Sequence, residues 1–372
     1  MTYFQFISQG AMPYIYVMVF LISVSANILS EKVFRKVFLH RRGVKDLTQV
    51  QAMHSSPTPR AGGMGLVLAA CICLPFASVA ELSVGNLITY MACLIPLFAA
   101  GFSEDIGYSV RPIIRFTAAT VSGILVIYVS GLTLDNIRIP ILDAFLSFTP
   151  VAVAFTLIAV TGVTNAFNFI DGLNGLAACT AGSIVLCLSI AFYTLGDPQM
   201  ANTVIILMPL LLGFLTLNYP FGKIFLGDTG AYLLGFILAW LSIYICKNNL
   251  TVSPFALLMI FFWPVADTLL AIWRRFQLGN RPSRPDRLHY HQLVIRWLNL
   301  STEVPNKYSN PIATAIILPM VIVAQIIGLI FLEHLWWSLF ALIGYSLFFF
   351  ISYVVGIWYA SRRKYFWASK DI

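Results

Sequence analysis

The chain has 372 residues, 59% hydrophobic and 10% charged, with a mean hydropathy of +0.85. That balance excludes a soluble globular protein of this size, because apolar runs long enough to cross about 30 Å of hydrocarbon recur along the whole length. The formal net charge of +8 sits in the connections between apolar runs, with no soluble basic module to carry it, so no nucleic acid is expected as a partner.

The first apolar run, Met12 to Leu29, has neither a basic n-region nor a small-residue cleavage site, which predicts a retained span. With it, about eleven spans are predicted, at 12–30, 62–80, 86–102, 113–131, 147–164, 175–195, 199–217, 230–246, 253–273, 311–332 and 336–359. Lipid leaves every backbone polar group to be satisfied within the segment, so the spans are expected to be helices. A transmembrane barrel would show short alternating stretches instead. The expected fold is an all-α, polytopic membrane helix bundle forming a single integral membrane domain over residues 1–372. The six cysteines lie in or at the ends of apolar runs without a CxxC pair and read as packing residues.

The polar stretches between the spans carry the chemistry. The connection 31–61 holds Lys32, Arg35, Lys36, Arg41, Arg42, Lys45 and Arg60, and ends in His54-Ser-Ser-Pro-Thr58-Pro59-Arg60-Ala-Gly62-Gly63, which reads as a turn. The third span closes on Ser103-Glu104-Asp105. Adjacent carboxylates repel unless a cation lies nearby, which suits a general base or a magnesium environment; a solvated helix end is the plain alternative. After the fifth span come Asn165, Asn168, Asp171, Gly172, Asn174 and Gly175. Amides at this density can bind the polar edge of a nucleobase or sugar, and the glycines equally suit a structural loop.

Asn218-Tyr-Pro-Phe-Gly-Lys223-Ile-Phe225-Leu-Gly-Asp228-Thr-Gly230 precedes the eighth span. Asp228, a carboxylate between glycines at a helix start, suits magnesium, which takes one or two carboxylates plus phosphate oxygens. It could also simply cap the helix. Asp267 is an acid inside an apolar span, which points to function or to a buried hydrogen-bonded partner. The long connection 274–310 holds Arg274, Arg275, Arg281, Arg284, Arg287, His289 and His291. Arginines there can grip a pyrophosphate or touch anionic lipid. For the histidines phosphate contact is favoured, since HxH without cysteine partners is a weak zinc site.

Basic residues concentrate in 31–61, in 274–310 and in the tail, at Arg362, Arg363, Lys364 and Lys370. An odd number of spans puts these on one side, expected to be cytoplasmic, with the N-terminus outside and the C-terminus inside. The same parity gathers Glu104, Asp105, Asp171, Asp228, His289 and His291 on that side. The opposite connections hold Glu81, Asp135, Asp143, Asp197 and Glu333 with no repeated polar pattern.

In these motifs the chain resembles the polyprenyl-phosphate N-acetylhexosamine-1-phosphate transferase superfamily (glycosyltransferase family 4). That group includes the bacterial phospho-MurNAc-pentapeptide translocase and the undecaprenyl-phosphate GlcNAc-1-phosphate transferases. The ordered matches are Pro57 to Gly63, Glu104-Asp105, Asn165 to Gly172, Lys223 to Asp228 and Pro285 to His291. The stretch Arg284-Pro285-Asp286-Arg287 is similar to the GlcNAc-1-phosphate branch. The resemblance implies transfer of HexNAc-1-phosphate, GlcNAc-1-phosphate foremost, from a UDP-sugar to undecaprenyl phosphate, with release of UMP and the start of a cell-surface polysaccharide. It implies Mg2+ as cofactor, with Mn2+ as a substitute, held by Asp228. Glu104 and Asp105 would stand near the lipid phosphate, with Asp171, Asn218 and Phe225 around the uridine. Asn165, Asn168, Asn174, Arg284 and Arg287 would contact substrate, and His289 and His291 the diphosphate. The implied partners are undecaprenyl phosphate, a UDP-sugar, the bilayer and a second copy in a homodimer, in a bacterial inner membrane with the site on the cytoplasmic face.

Three departures mark this chain: Glu104 where the family has aspartate, Asn174 where it has a second acid, and Gln292 where a third histidine is usual. Another UDP-HexNAc or UDP-MurNAc-pentapeptide as donor is the nearest alternative. A secondary transporter is the rival class, although it predicts polar groups at mid-bilayer and on both faces. An intramembrane aspartyl protease would need a glycine at Phe225.

Overall fold

A computed structural model describes residues 3–38, 58–74, 84–277, 279, 288–301 and 305–368. They form sixteen helices and no strand. The first helices are α1 (Tyr3–Val37), α2 (Gly62–Cys73), α3 (Val84–Cys93), α4 (Ile95–Asp105) and α5 (Pro112–Ser130). A short α6 (Pro140–Leu146) leads into α7 (Thr149–Ile170), α8 (Leu176–Thr194), α9 (Pro198–Ile205), α10 (Leu207–Asn218) and α11 (Gly227–Asn248). The chain ends with α12 (Pro254–Ile260), α13 (Phe262–Gln277), α14 (Tyr290–Ser301), α15 (Asn306–Ile330) and α16 (Leu335–Ala368).

Eight helical stretches are long and apolar enough to cross a membrane, two bent pairs raise the number to ten, and α2 is a shorter apolar helix. Every predicted span therefore meets a helix; that at 199–217 is shared by α9 and α10 as one stretch, and two others are sharply bent. The span at 86–102 is the pair α3–α4, bent by 54°, and that at 253–273 is the pair α12–α13, bent by 85°. Pro96 lies in the first turn of α4 and Pro264 in that of α13, and each removes a backbone donor where the helix would have continued. Proline alone does not decide this, since α15 runs unbroken through Pro311 and Pro319.

α11 is the centre of the bundle. It packs against α2, α4, α7 and α8, and 72% of its most apolar window is buried, against 11% for α16. Small residues allow this approach. A Cβ on Gly63 of α2 would lie 2.3 Å from the backbone nitrogen of Gly230, so only glycine lets these two backbones touch. The helix ends that meet around Gly227 build the site.

Candidate active site

α11 opens with Gly227-Asp228-Thr229-Gly230. The first amides of a helix have no partner within it. Here the Asp105 carboxylate of α4 supplies two of them. The Asp228 and Thr229 amides donate to Oδ1 and Oδ2 of Asp105, each at 2.9 Å, and the Asp171 carboxylate lies near the Gly227 amide. Gly227 has φ +76°, and a Cβ on it would lie 2.7 Å from the Asp105 carboxylate oxygens. Both its left-handed backbone and that contact require glycine.

This arrangement decides the reading of Asp228. Its own side chain is not the cap; Leu226 stands at the N-cap position without a side-chain capping bond. The carboxylate instead receives two guanidinium groups. Arg60 Nη1 donates to Oδ1 at 3.2 Å and Arg115 Nη1 to Oδ2 at 2.8 Å. Arg60 arrives through a short backbone pairing: Phe225 donates to the Pro59 carbonyl, Gly62 to that of Phe225 and Gly63 to that of Leu226. The Pro-Thr-Pro-Arg-Ala-Gly-Gly segment, legible as a turn, thus brings an arginine to the site. Arg115, in the first turn of α5, was not among the expected site residues. Its signal was a lone charge just inside an apolar span.

Glu104 and Asp105 do not act as a pair on one face. Neighbours on a helix point in different directions. Asp105 is buried against α11, while Glu104 Oε2 accepts the Val110 amide at 2.7 Å. Asp171 follows α7. Burial pushes its carboxyl up to about 7, with the nearby Asp228 and Asp105 carboxylates adding to the shift while Arg60 and the Gly227 amide oppose it.

The asparagines split into two groups. Asn165 and Asn168 lie in the last turns of α7, half-buried, with the Asn165 amide donating to the Thr161 carbonyl. Asn218 and Asn174 hold the loops from beneath. Asn218 accepts the Gly175 amide at 2.6 Å and donates to the Ile224 carbonyl at 2.7 Å, tying the 171–175 loop to the 219–224 loop. Asn174 donates to the Pro220 carbonyl, and its backbone is gripped by Asn310 and Thr314 of α15. Phe225 is half-buried beside Arg60's segment.

His289 and His291 are both 2% exposed and flank the start of α14. Their rings stack at 5.6 Å and 19°. His291 reaches the asparagine loop: a Cβ on Gly172 would lie 2.5 Å from its Nε2. Burial holds His291 below the ordinary imidazole pKa, with Asp267 pulling the other way. Gln292, where a third histidine is usual, turns back to accept the His289 amide at 3.3 Å, the return contact of a capping box. Arg284 and Arg287, with His54 and Pro57, lie outside the described residues.

Among the described residues, no group of three or more His, Cys, Asp or Glu could hold a metal by itself. Magnesium does not need such a cage, since it keeps waters and takes substrate phosphates with one or two carboxylates. Asp105 is taken up by the α11 amides, which leaves Asp228, facing Arg60 and Arg115, as the carboxylate whose chemistry suits such a cation.

The family description Glycosyl transferase family 4 matches residues 87–246, which includes α4, α7, α10 and the start of α11. Among curated proteins, the undecaprenyl-phosphate alpha-N-acetylglucosaminyl 1-phosphate transferase of Yersinia pestis is 28% identical over 286 residues, covering 75% of each chain. That of Escherichia coli K12 is 26% identical over 288 residues, covering 74% of this chain and 77% of its own. A probable undecaprenyl-phosphate N-acetylglucosaminyl 1-phosphate transferase of Bacillus subtilis 168 is 26% identical over 282 residues, covering 75% and 77%. This multi-pass membrane protein is a transferase enzyme, similar over residues 87–246 to Glycosyl transferase family 4 and over about three quarters of its length to these 1-phosphate transferases.

Proposed function

We propose that the protein transfers GlcNAc-1-phosphate from UDP-GlcNAc to undecaprenyl phosphate at the cytoplasmic face of a bacterial inner membrane. An oxygen of the lipid phosphate attacks the β-phosphorus of the nucleotide sugar. A new P–O bond forms, the bond from the β-phosphorus to the oxygen bridging the two phosphates breaks, and UMP leaves. The products are undecaprenyl diphosphate GlcNAc and UMP, the first step of a cell-surface polysaccharide.

The observation that carries this reading is the Asp228 centre: one carboxylate facing two arginines, beside two further carboxylates, at the end of a membrane helix. Phosphoryl transfer needs positioning and charge stabilisation more than covalent help. Asp228 is assigned to hold Mg2+, which on binding neutralises charge developing on the phosphates. Arg60 and Arg115 are poised to exchange Asp228 for phosphate oxygens, to which guanidinium binds in a bidentate manner. The acceptor phosphate is ionised at neutral pH, with a second pKa of about 6, so it needs no strong base. Asp105 is committed to the α11 amides and fixes where Asp228 stands. The loop carrying Asn165, Asn168 and Asp171, with Phe225, is assigned to the uridine, and His289 and His291 to the diphosphate. The basic connections favour this face as the cytoplasmic one.

The test is a radiolabelled transfer assay on purified protein with undecaprenyl phosphate, Mg2+ and UDP-GlcNAc, run beside UDP-GalNAc. Lipid-linked label and UMP, both lost with chelator, support the reading. Label from UDP-GalNAc alone replaces the donor sugar. No product from either donor and no uridine nucleotide bound by folded protein overturns it.

A further inference from the structure

The roles assigned above leave one buried acid without a task. Asp267 of α13 is 1% exposed, and a carboxylate removed from water needs donors or a counter-charge. Its Oδ1 accepts the Tyr290 amide at 2.9 Å, which caps α14. Its Oδ2 faces two imidazoles, with Nδ1 of His289 at 3.0 Å and Nδ1 of His291 at 3.8 Å. The stacked rings are thereby held between Asp267 on one side and the loop of Asp171 and Gly172 on the other, with the Phe169 ring 5.8 Å from that of His289.

A carboxylate at Nδ1 fixes the proton on that nitrogen, so the imidazole meets a substrate through Nε2, as an acceptor when neutral and as a donor when protonated. We propose that Asp267 is the positioning residue of the histidine pair. It sets the Nδ1–H form of His289, steadies His291 beside it, and so turns the Nε2 edges of both rings toward the site. That this matters for turnover rests on the reading in which the histidines contact the substrate diphosphate. A purely structural Asp267 would cap α14 and do no more.

Asp267→Asn separates the two roles. The amide oxygen can still accept the Tyr290 amide, but the amide nitrogen now faces the histidine and pushes its proton to Nε2. The full chain contains five histidines, His40, His54, His289, His291 and His334, so 15N-histidine NMR of the protein in lipid nanodiscs is assignable with His289→Gln and His291→Gln. The wild type should show His289 protonated at Nδ1. In Asp267→Asn that proton should move to Nε2, and kcat for the UDP-sugar should fall roughly 10- to 100-fold with KM changed by less than about threefold. Asp267→Glu should recover part of the loss, and in a His289→Gln background Asp267→Asn should cost little more.

His289 protonated at Nε2 in the wild type overturns the proposal, and this measurement needs no variant to fold. Losses that multiply when Asp267→Asn and His289→Gln are combined also overturn it. An Nδ1–H signal in protein that turns over no UDP-sugar upholds the hold of Asp267 on the histidines and rejects the transferase reading, so the two failures are distinguishable.

Discussion

The two ends of α11 handle charge in opposite ways. At the Asn248 end, each described acid of the neighbouring connections answers to a plain partner. Asp135 pairs with Lys247, Asp143 accepts the Ile137 amide, Asp197 caps α9 through the Met200 amide, and Glu333 accepts the Thr251 hydroxyl. Arg138 is likewise spent on the carbonyls of Thr251 and Glu333. At the Gly227 end, Asp105, Asp171 and Asp228 crowd round one helix start with two arginines converging on one of them. The first end is a brace. The second holds like charges together, a state that helps folding little and prepares an environment for an anionic, cation-bearing ligand. With 22 residues in α11, the two ends stand about 33 Å apart.

Mutations should divide along the same line. Asp228→Asn is the severest: turnover in the transfer assay should fall by about 10³-fold or more while the protein still folds and binds nucleotide. A variant keeping a tenth of the activity would remove the centre's claim to catalysis. Arg115→Gln should lower kcat roughly 10- to 100-fold, whereas Arg138→Gln at the other end should leave it unchanged; equal effects would dissolve the contrast. Gly227→Ala should cost stability as well as activity, about 1–3 kcal/mol for its left-handed backbone, read as a lower melting temperature. Lys247→Ala breaks only an exposed pair and should cost about 0.2–1 kcal/mol, with transfer rates intact. A large loss of activity there would mean that the brace communicates with the site.

Much of the site was legible because it is written in residue types that an apolar chain cannot hold casually. Asp228 and Asp171 stood out against their surroundings and do come together, and His291 reaches the loop that carries Asp171. Arg115 and Asn310 did not stand out, although one meets Asp228 and the other holds the asparagine loop. The first looked like the boundary of a span, and the second like a polar residue entering one. The Glu104-Asp105 doublet stood out as adjacent carboxylates, but not which way each would face; helix geometry sends Asp105 to the α11 amides and Glu104 to Val110.

The sequence by itself determined the class of the protein, because long apolar runs without the alternation of a barrel can cross hydrocarbon only as helices. It also narrowed the residues available for chemistry to a few polar stretches, since charge and amide density in such a chain has few structural excuses. Tertiary structure alone decided which helices break, that a carboxylate from α4 caps α11, and that Asp267 lies against two histidines 22 and 24 positions later. These are contacts between segments far apart in the chain, made by close helix packing at glycines such as Gly63, and no local pattern of residues encodes which distant partner a side chain will meet.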